Sequence, residues 1–165
     1  MLRRLHLLAL RTYRRLPRRW RWFVVRRMAP TFTVGSICVV ERPDGALLLV
    51  RQSYRDGWAF PGGLLRRRED PVAAGRREVR EEVGLDITTL GEPAVVVDTG
   101  RRRVDVIFRA RCAEPADSEG LRPQSPEILE VRWFGPPELP ELQLEAAMAL
   151  AELARSFPAG PAAGG

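Results

Sequence analysis

Residues 63–85 read GLLRRREDPVAAGRREVREEVGL and contain the signals for both ends of a helix. Asp70 followed by Pro71 predicts the start of a helix, because an Asp side chain can accept hydrogen bonds from the first amides and Pro needs no donor at the first helical position. Gly84 predicts the end of the helix, since glycine adopts the left-handed conformation at little cost. The apolar residues that recur between these ends at helical spacing, and that we expect to face the core, are Val72, Val79 and Val83.

Three carboxylates crowd the second half of this helix, at Glu78, Glu81 and Glu82. At 3.6 residues per turn they occupy a sector roughly 100° wide, away from the valines, where like charges repel one another. A divalent cation reverses that cost, since Mg²⁺ prefers carboxylate oxygens and is commonly shared with substrate phosphates. The helix is therefore a candidate magnesium and phosphate site. Taken alone, however, the segment fits a solvated face of alternating charges better.

The spacing of the whole stretch decides between these two interpretations. Gly63, then Glu69 after five residues and, after seven more, the run REVREEVGL resemble the Nudix box, G-x5-E-x7-R-E-U-x-E-E-x-G-U with U aliphatic, at every specified position. The preceding WAFPG is similar to the family's lead-in to the box, and the resemblance extends over residues 32 to about 153. It implies an α/β (α+β) fold, the Nudix fold, in which a mixed β-sheet is sandwiched between α-helices.

The resemblance also implies an activity. Nudix hydrolases cleave a nucleoside diphosphate that is linked to another group, with Mg²⁺ or Mn²⁺ as cofactor. We therefore expect a pyrophosphohydrolase in which water attacks phosphorus, acting on a nucleoside triphosphate, a nucleotide sugar or a related nucleotide. Two alternatives stay open: an enzyme of the same fold that acts on RNA ends or on a membrane-associated substrate, and a non-catalytic nucleotide-binding module.

Residue roles follow from the same resemblance. The metal ligands that it implies are Glu78, Glu81, Glu82 and the carbonyl oxygen of Gly62. Glu69 and Arg77 would brace the loop against the helix and orient these carboxylates. The three ligand carboxylates and the two bracing residues are together the expected catalytic residues of the box.

Glu127 is a further candidate for the site. Some family members supply an additional Glu from a loop six residues before a Trp that opens a strand, and Glu127 lies six residues before Trp133. It would act as metal ligand or as general base. The alternative is an ordinary acid at the start of a strand.

Four residues before the box are candidates for substrate binding: Arg51, Tyr54, Arg55 and Trp58. Arginine forks match phosphate groups, and aromatic faces stack on bases. For Tyr54 and Trp58, packing in the core or at its rim is an equal alternative. Residues 66–68 are all Arg, at positions that the motif leaves open, and they either bind an acidic part of the substrate or reflect a bias toward Arg.

Composition favours one soluble domain with a basic extension. The chain has 165 residues, 45% of them apolar, and no apolar run of membrane-spanning length. The net charge of +6 divides into +10 for residues 1–30, which hold ten Arg and no acid, and −4 for residues 31–165. Every cationic residue is Arg, which indicates a coding bias. Cys38 and Cys112 show no metal or disulfide pattern, so we expect small buried side chains in a reducing compartment.

The extension predicts two helical pieces, residues 2–15 and a Trp-rich segment beyond residue 17. A signal peptide is not expected, because the apolar run LHLLAL is short and no cleavage motif precedes the Arg run. A transit peptide, a helix packed on the domain, and contact with an anionic membrane or with nucleic acid are the alternatives. In the last case Trp20, Trp22 and Phe23 would insert or stack.

The rest of the chain alternates strand and turn patterns. PDG at residues 43–45 predicts a hairpin between strands at about 32–41 and 46–52. A second strand pair is predicted for AVVVDTG and RVDVIFRARC, and a further strand for ILEVRWF. A C-terminal helix with a Pro-rich entry is predicted for PPELPELQLEAAMALAELARSF. The expected domains are an N-terminal helical extension (1–30), a Nudix hydrolase domain (31–155) and a disordered tail (156–165). We expect a cytoplasmic location, with attachment to a membrane surface and a homodimer left open.

Overall fold

The computed structural model describes residues 12–113 and 121–157. The chain divides into two compact units, Met1–Phe32 and Thr33–Gly165. The helices are α1 (Arg18–Met28), α2 (Pro71–Val83) and α3 (Leu144–Ser156), with a short 3-10 helix at Pro136–Glu138. The strands are β1 (Thr33–Val40), β2 (Leu47–Gln52), β3 (Gly62–Leu64), β4 (Ile87–Asp98), β5 (Arg103–Cys112) and β6 (Ile128–Phe134).

Helix α2 begins and ends where the sequence predicts. The Asp70 carboxylate accepts hydrogen bonds from the amides of Val72 at 3.0 Å and Ala73 at 3.1 Å, which satisfies two donors that the first turn leaves free. Gly84 ends the helix in the left-handed conformation, with φ 76°. The valines predicted to face the core do so: Val79 and Val83 are buried, and Val72 packs against them at the edge.

The larger sheet has the strand order β3-β1-β5-β4. β1 and β5 run parallel, with Thr33 opposite Arg103 and Val40 opposite Ala110, whereas the other two ladders are antiparallel. A second sheet pairs β2 with β6 in antiparallel fashion. The predicted β4–β5 pair and the predicted strand β6 are thus confirmed, and the larger sheet is mixed as expected.

The predicted hairpin between β1 and β2 is wrong. The turn itself forms, since the amides of Gly45 and Arg42 donate to the carbonyls of Arg42 and Ala46, both at 2.9 Å. Beyond one bridge between Glu41 and Leu47, however, the strands separate, and β1 pairs with β3 and β5 while β2 pairs with β6. A turn motif fixes a local change of direction, but the partner of a strand depends on burial across the whole sheet.

Alternate residues of β1 point to opposite faces of the sheet and so build two cores. The first core contains Cys38 and Val40 of β1 together with Val79 and Val83 of α2. The second core contains Ile37 and Val39 of β1 together with Ala146, Ala149 and Leu153 of α3. Helices α2 and α3 therefore cover opposite faces, which is the sandwich that the box resemblance implies.

The sequence predicts that both cysteines are small buried side chains. Cys38 is buried, as predicted, whereas Cys112 at the end of β5 is only half-buried. Burial raises the pKa of the Cys38 thiol to about 12. Cys38 is therefore a packing residue rather than a nucleophile.

The N-terminal unit is described from residue 12 onward. Residues 12–15 are helical, and the rest of the first predicted helical piece lies outside the described residues. Helix α1 confirms the predicted Trp-rich helix, and none of its residues is buried. No helix in the described part of the chain is long and apolar enough to cross a membrane. The three domain limits stay predictions, and residues 158–165 of the predicted tail lie outside the described part.

Candidate active site

The loop before α2 is tied to the helix by one arginine. Arg77 donates Nε to Oε1 of Glu69 at 2.8 Å and Nη2 to Oε2 at 2.9 Å, and both side chains are half-buried. The amide of Arg66 donates to the same carboxylate at 2.7 Å. These hydrogen bonds, those from Arg77 foremost, hold the pKa of Glu69 at about 2. Arg77 and Glu69 thus connect the loop to the helix, and their predicted role in orienting the metal-binding carboxylates stays a prediction.

The same guanidinium also contacts carboxylates of the box. Its Nη1 donates to Oε1 of Glu78 at 2.6 Å and to Oε2 of Glu81 at 3.2 Å. Arg66 donates Nη2 to both oxygens of Glu81, at 2.9 and 3.2 Å. Arg66 and Arg77 thus share two positive charges among Glu69, Glu78 and Glu81, which offsets part of the repulsion on the helix and leaves the site negative.

Gly63 leaves the space that Glu78 occupies. A Cβ added at Gly63 would lie 2.5 Å from both Cδ and Oε1 of Glu78. At Gly62 an added Cβ would collide with the backbone of Ser36 in β1. The two glycines let β3 lie against β1 and against Glu78 at the same time, so the box requires glycine at position 63 for a steric reason.

Glu82 is the buried member of the three carboxylates. It is 8% exposed, and its Oε2 accepts a hydrogen bond from the amide of Gly62 at 3.1 Å. Burial raises the pKa of Glu82 to about 8, against the opposing hydrogen bond from Gly62. The neighbouring charges that add to the rise are those of Glu78, Glu127 and Glu81. A cation beside Glu82 would remove this cost of ionisation.

The donor set suits a hard divalent cation, because every candidate ligand is an oxygen and the surrounding charge is negative. Over residues 12–113 and 121–157, however, no three acidic, histidine or cysteine side chains converge in a ligand geometry. Arg77 holds Glu78 and Glu81, while Gly62 holds Glu82. The residues fit the predicted metal in charge and chemistry, and their gathering around one ion, with the carbonyl of Gly62, stays a prediction.

Glu127 lies near the box because its segment contacts the end of α2. The amide of Gln124 donates to the carbonyl of Glu82 at 2.9 Å, and the amide of Ser53 donates to the carbonyl of Glu127 at 2.8 Å. After burial, the charge of Glu127 contributes to the raised pKa values of Glu82 and Tyr54. The fold thus brings Glu127 near the side of α2 that carries Glu78, Glu81 and Glu82, here called the acidic side. The role of Glu127 as ligand or base stays a prediction.

Three of the four predicted substrate-binding residues line one cavity of about 330 Å³: Arg51, Tyr54 and Arg55. Trp58 instead packs edge-on against Phe134, with ring centroids 4.8 Å apart, and contacts the second core. The structure therefore favours core packing for Trp58, the alternative to stacking on a base. The Tyr54 ring is exposed beside the cavity.

A second, smaller cavity of about 50 Å³ adjoins Gly62. The polar residues that line it are Gln52, Arg55, Arg103, Gln143 and Glu145. Apart from Arg55, no sequence motif points to them, because they come from β2, β5 and the start of α3 and meet only in the assembled fold. Sequence patterning offers one signal, since Arg103 and Asp105 lie two apart in a strand and so share a face.

Replacing Arg77 with Lys is expected to lower both stability and turnover, because lysine supplies a point charge where a planar fork holds Glu69 and the box carboxylates. We expect the midpoint of thermal unfolding to fall by about 2–4 °C. Arg80→Lys is the matched control, since Arg80 pairs with Asp86 from the same helix but both side chains are well exposed. Calorimetry that shows no fall for Arg77→Lys, or an equal fall for both variants, would contradict the bracing role.

Comparison with known proteins places this geometry in a family. Residues 31–157 match the family model of the NUDIX domain. A MutT-like protein from Streptomyces ambofaciens is 34% identical over 116 residues, which covers 70% of this chain and 72% of that protein. An RNA pyrophosphohydrolase from Xanthomonas campestris pv. campestris (strain B100) is 49% identical over 47 residues, but this match covers 28% of the chain and 23% of that protein.

Solved structures share the fold. A NUDIX hydrolase from Nitrosomonas europaea superposes with a TM-score of 0.66 at 24% identity, over 78% of this chain and 73% of that one. An ADP-ribose pyrophosphatase from Streptococcus suis 89-1591 gives a TM-score of 0.63 at 23% identity, over 79% and 96% of the two chains. The sequence match to the domain model spans most of the chain and includes the complete box, and the protein is therefore a member of the Nudix hydrolase family.

Proposed function

We propose that this Nudix hydrolase splits a pyrophosphate linkage in a nucleotide by attack of water on phosphorus, with Mg²⁺ or Mn²⁺ bound at the acidic side of α2. One observation carries the proposal: Glu82 is buried beneath the negative charges of three further carboxylates. An ionised carboxylate that is buried among like charges, with one backbone hydrogen bond, is unfavourable in a folded protein, whereas the same group beside a divalent cation is stabilised.

The residues of the site would divide the chemistry between them. The proposed metal ligands are Glu78, Glu81, Glu82 and the carbonyl of Gly62. When bound, the cation would neutralise phosphate charge and lower the pKa of a water molecule. Arg77 and Glu69 would keep loop and helix in fixed register through the hydrogen bonds between them. Glu127 would accept the proton of the attacking water as general base, or complete the ligand set.

The proposed substrate is a nucleoside triphosphate, a nucleotide sugar or a related nucleotide. The larger cavity supports this, since Arg51 and Arg55 can pair with phosphate and the exposed ring of Tyr54 can stack on a base. The names of the relatives point to different substrates, RNA for one and ADP-ribose for another. Action on RNA ends is therefore the alternative within the same chemistry.

A substrate panel tests the proposed function. Release of phosphate or pyrophosphate would be measured for nucleoside triphosphates, nucleotide sugars, dinucleotides and a 5′-triphosphorylated RNA, with Mg²⁺, with Mn²⁺ and with chelator. We expect metal-dependent turnover of at least one small nucleotide. Turnover of the RNA alone would support the alternative, and no turnover of any member by a protein that binds metal would support a non-catalytic module.

We also propose that α1 attaches the protein to an anionic membrane surface. Its large apolar side chains are exposed, with Trp22 at 68%, Phe23 at 62% and Met28 at 80%. Residues 12–30 hold seven Arg and no acid, and a basic helix with aromatic side chains suits the headgroup region of anionic lipids. Because Met28 and the exposed Val25 have no ring with which to stack on bases, a membrane is favoured over nucleic acid.

Deletion of residues 1–30 is expected to abolish sedimentation with vesicles that contain phosphatidylserine, while hydrolysis of small nucleotides is unchanged. In the full chain, the double replacement Trp22→Ala and Phe23→Ala should weaken sedimentation with vesicles. Because both side chains are exposed, it should leave the folding of the chain unchanged. Binding should also fall with added salt, since exposed charges are screened. The proposal is contradicted if the full chain ignores anionic vesicles, or if the deletion removes RNA binding instead.

The cytoplasmic location stays a prediction, and the homodimer stays open. Light scattering at two protein concentrations would decide it, since a mass near twice that of the 18.6 kDa chain indicates a homodimer and a mass near 18.6 kDa a monomer.

A further inference from the structure

The small cavity beside Gly62 holds two arginines and one acid. Arg55 and Arg103 both line it, together with Glu145. Arg55 and Gln52 also line the larger cavity, so the two cavities adjoin at these residues. The smaller cavity thus extends from the proposed substrate site to Gly62, whose amide donates to Glu82 of α2.

The acid is held by one of the arginines. Arg55 donates Nη2 to Oε2 of Glu145 at 2.6 Å, and the Glu145 side chain is only 18% exposed. Although burial acts to raise it, the pKa of Glu145 is lowered, by hydrogen bonds from its own amide and from Arg55 and by the charges of Arg55 and Arg103. Two cations therefore face one carboxylate in this cavity.

Arg103 is fixed from the other side. Its Nε donates to both oxygens of the buried Asp105, at 2.8 Å each. Its two terminal amino groups donate no hydrogen bond to any residue within 12–113 or 121–157. Asp105 balances the charge of Arg103, and Glu145 balances that of Arg55, so the charges around the cavity sum to about zero. Removal of Glu145 would leave one net positive charge at the cavity.

We propose that Arg55 and Arg103 form a binding site for a phosphate group of the substrate, and that Glu145 occupies this site as an internal counter-ion until the phosphate displaces it. The assignment of the phosphate to a nucleotide rests on the proposed function; the anion site itself does not. Glu145 thereby sets specificity, because a substrate must supply enough negative charge to compete with a carboxylate that the protein already carries.

The other interpretation is a plain ion pair that ties the loop after β2 to the first turn of α3. The two interpretations predict different changes in anion affinity when Glu145 is replaced. If the pair only holds the loop in place, loss of Glu145 loosens Arg55 and weakens anion binding or leaves it unchanged. If Glu145 competes with the ligand, its loss frees Arg55 and tightens anion binding.

Calorimetric titration with inorganic pyrophosphate, in the absence of metal, measures this change in affinity directly. The full chain would be compared with Glu145→Gln, Arg55→Gln and the double variant. Glu152→Gln is the matched control, since Glu152 pairs with Arg155 at the far end of the same helix. We expect Glu145→Gln to bind pyrophosphate about fivefold more tightly than the parent, and Glu152→Gln to bind it as the parent does.

The double variant shows whether the gain acts through Arg55. We expect Arg55→Gln to bind pyrophosphate more weakly than the parent, and the tightening by Glu145→Gln to disappear when Arg55 is absent. Unchanged or weaker binding in Glu145→Gln would overturn the inference, as would a gain that persists without Arg55. The titration measures binding and does not depend on turnover. The anion site and the proposed hydrolysis are therefore tested independently, and either can fail without the other.

Discussion

Replacing Glu82 with Gln is expected to lower metal-dependent hydrolysis by about 10³-fold, because the variant loses the negative charge that the cation requires while its shape is kept. Glutamine can still accept the hydrogen bond that the amide of Gly62 donates to Glu82 at 3.1 Å. Since the position is buried, water cannot take the place of the lost carboxylate oxygen. The measurement is the steady-state rate on whichever nucleotide the panel identifies, at saturating Mg²⁺.

Stability provides the control for this variant. The pKa of Glu82 is raised from 4.5 to about 8 in the folded chain, so the folded state binds this proton more tightly than the unfolded state does. Its ionisation therefore lowers the free energy of unfolding as pH rises between these values. Without metal, Glu82→Gln should be at least as stable as the parent at pH 8. Loss of activity together with loss of stability would instead indicate a structural role.

Replacing Glu127 with Gln is expected to lower turnover by about 10²- to 10⁴-fold, the usual contribution of a positioned general base. If Glu127 is the base, the variant keeps the metal affinity of the parent; if it is a ligand, the affinity falls as well. Glu138→Gln is the control, because Glu138 is an exposed acid in the 3-10 helix after β6 and is not among the predicted metal-binding or substrate-binding residues. Turnover of Glu127→Gln within about twofold of the parent would remove Glu127 from the mechanism.

Local signals in the sequence predict α2 and its acidic side well. The capping carboxylate of Asp70 and the left-handed Gly84 act within a few residues of their own positions, so no distant part of the chain can override them. The carboxylates at positions 78, 81 and 82 share one side of the helix for the same reason. What the helix alone could not predict is the burial of Glu82, which depends on β3 and on the segment before β6.

Strand partners and the second cavity depend on the assembled sheet. The turn at residues 43–45 forms, yet β1 pairs with β3 and β5 because its two apolar faces are both covered. Arg55 and Glu145 are 90 residues apart and meet only because α3 packs beside the loop after β2. Trp58 shows the matching ambiguity of aromatic residues, since a ring suited to stacking on a base is equally suited to a core.

The most direct test of a metal site on α2 is a titration with Mn²⁺ in which electron paramagnetic resonance measures the affinity of the parent and of Glu82→Gln. If the box carboxylates hold the catalytic ion, the parent binds Mn²⁺ and the variant binds it at least about tenfold more weakly. Equal affinity in the two proteins would contradict the proposed site, because the one buried carboxylate of the cluster would then have no part in holding the metal.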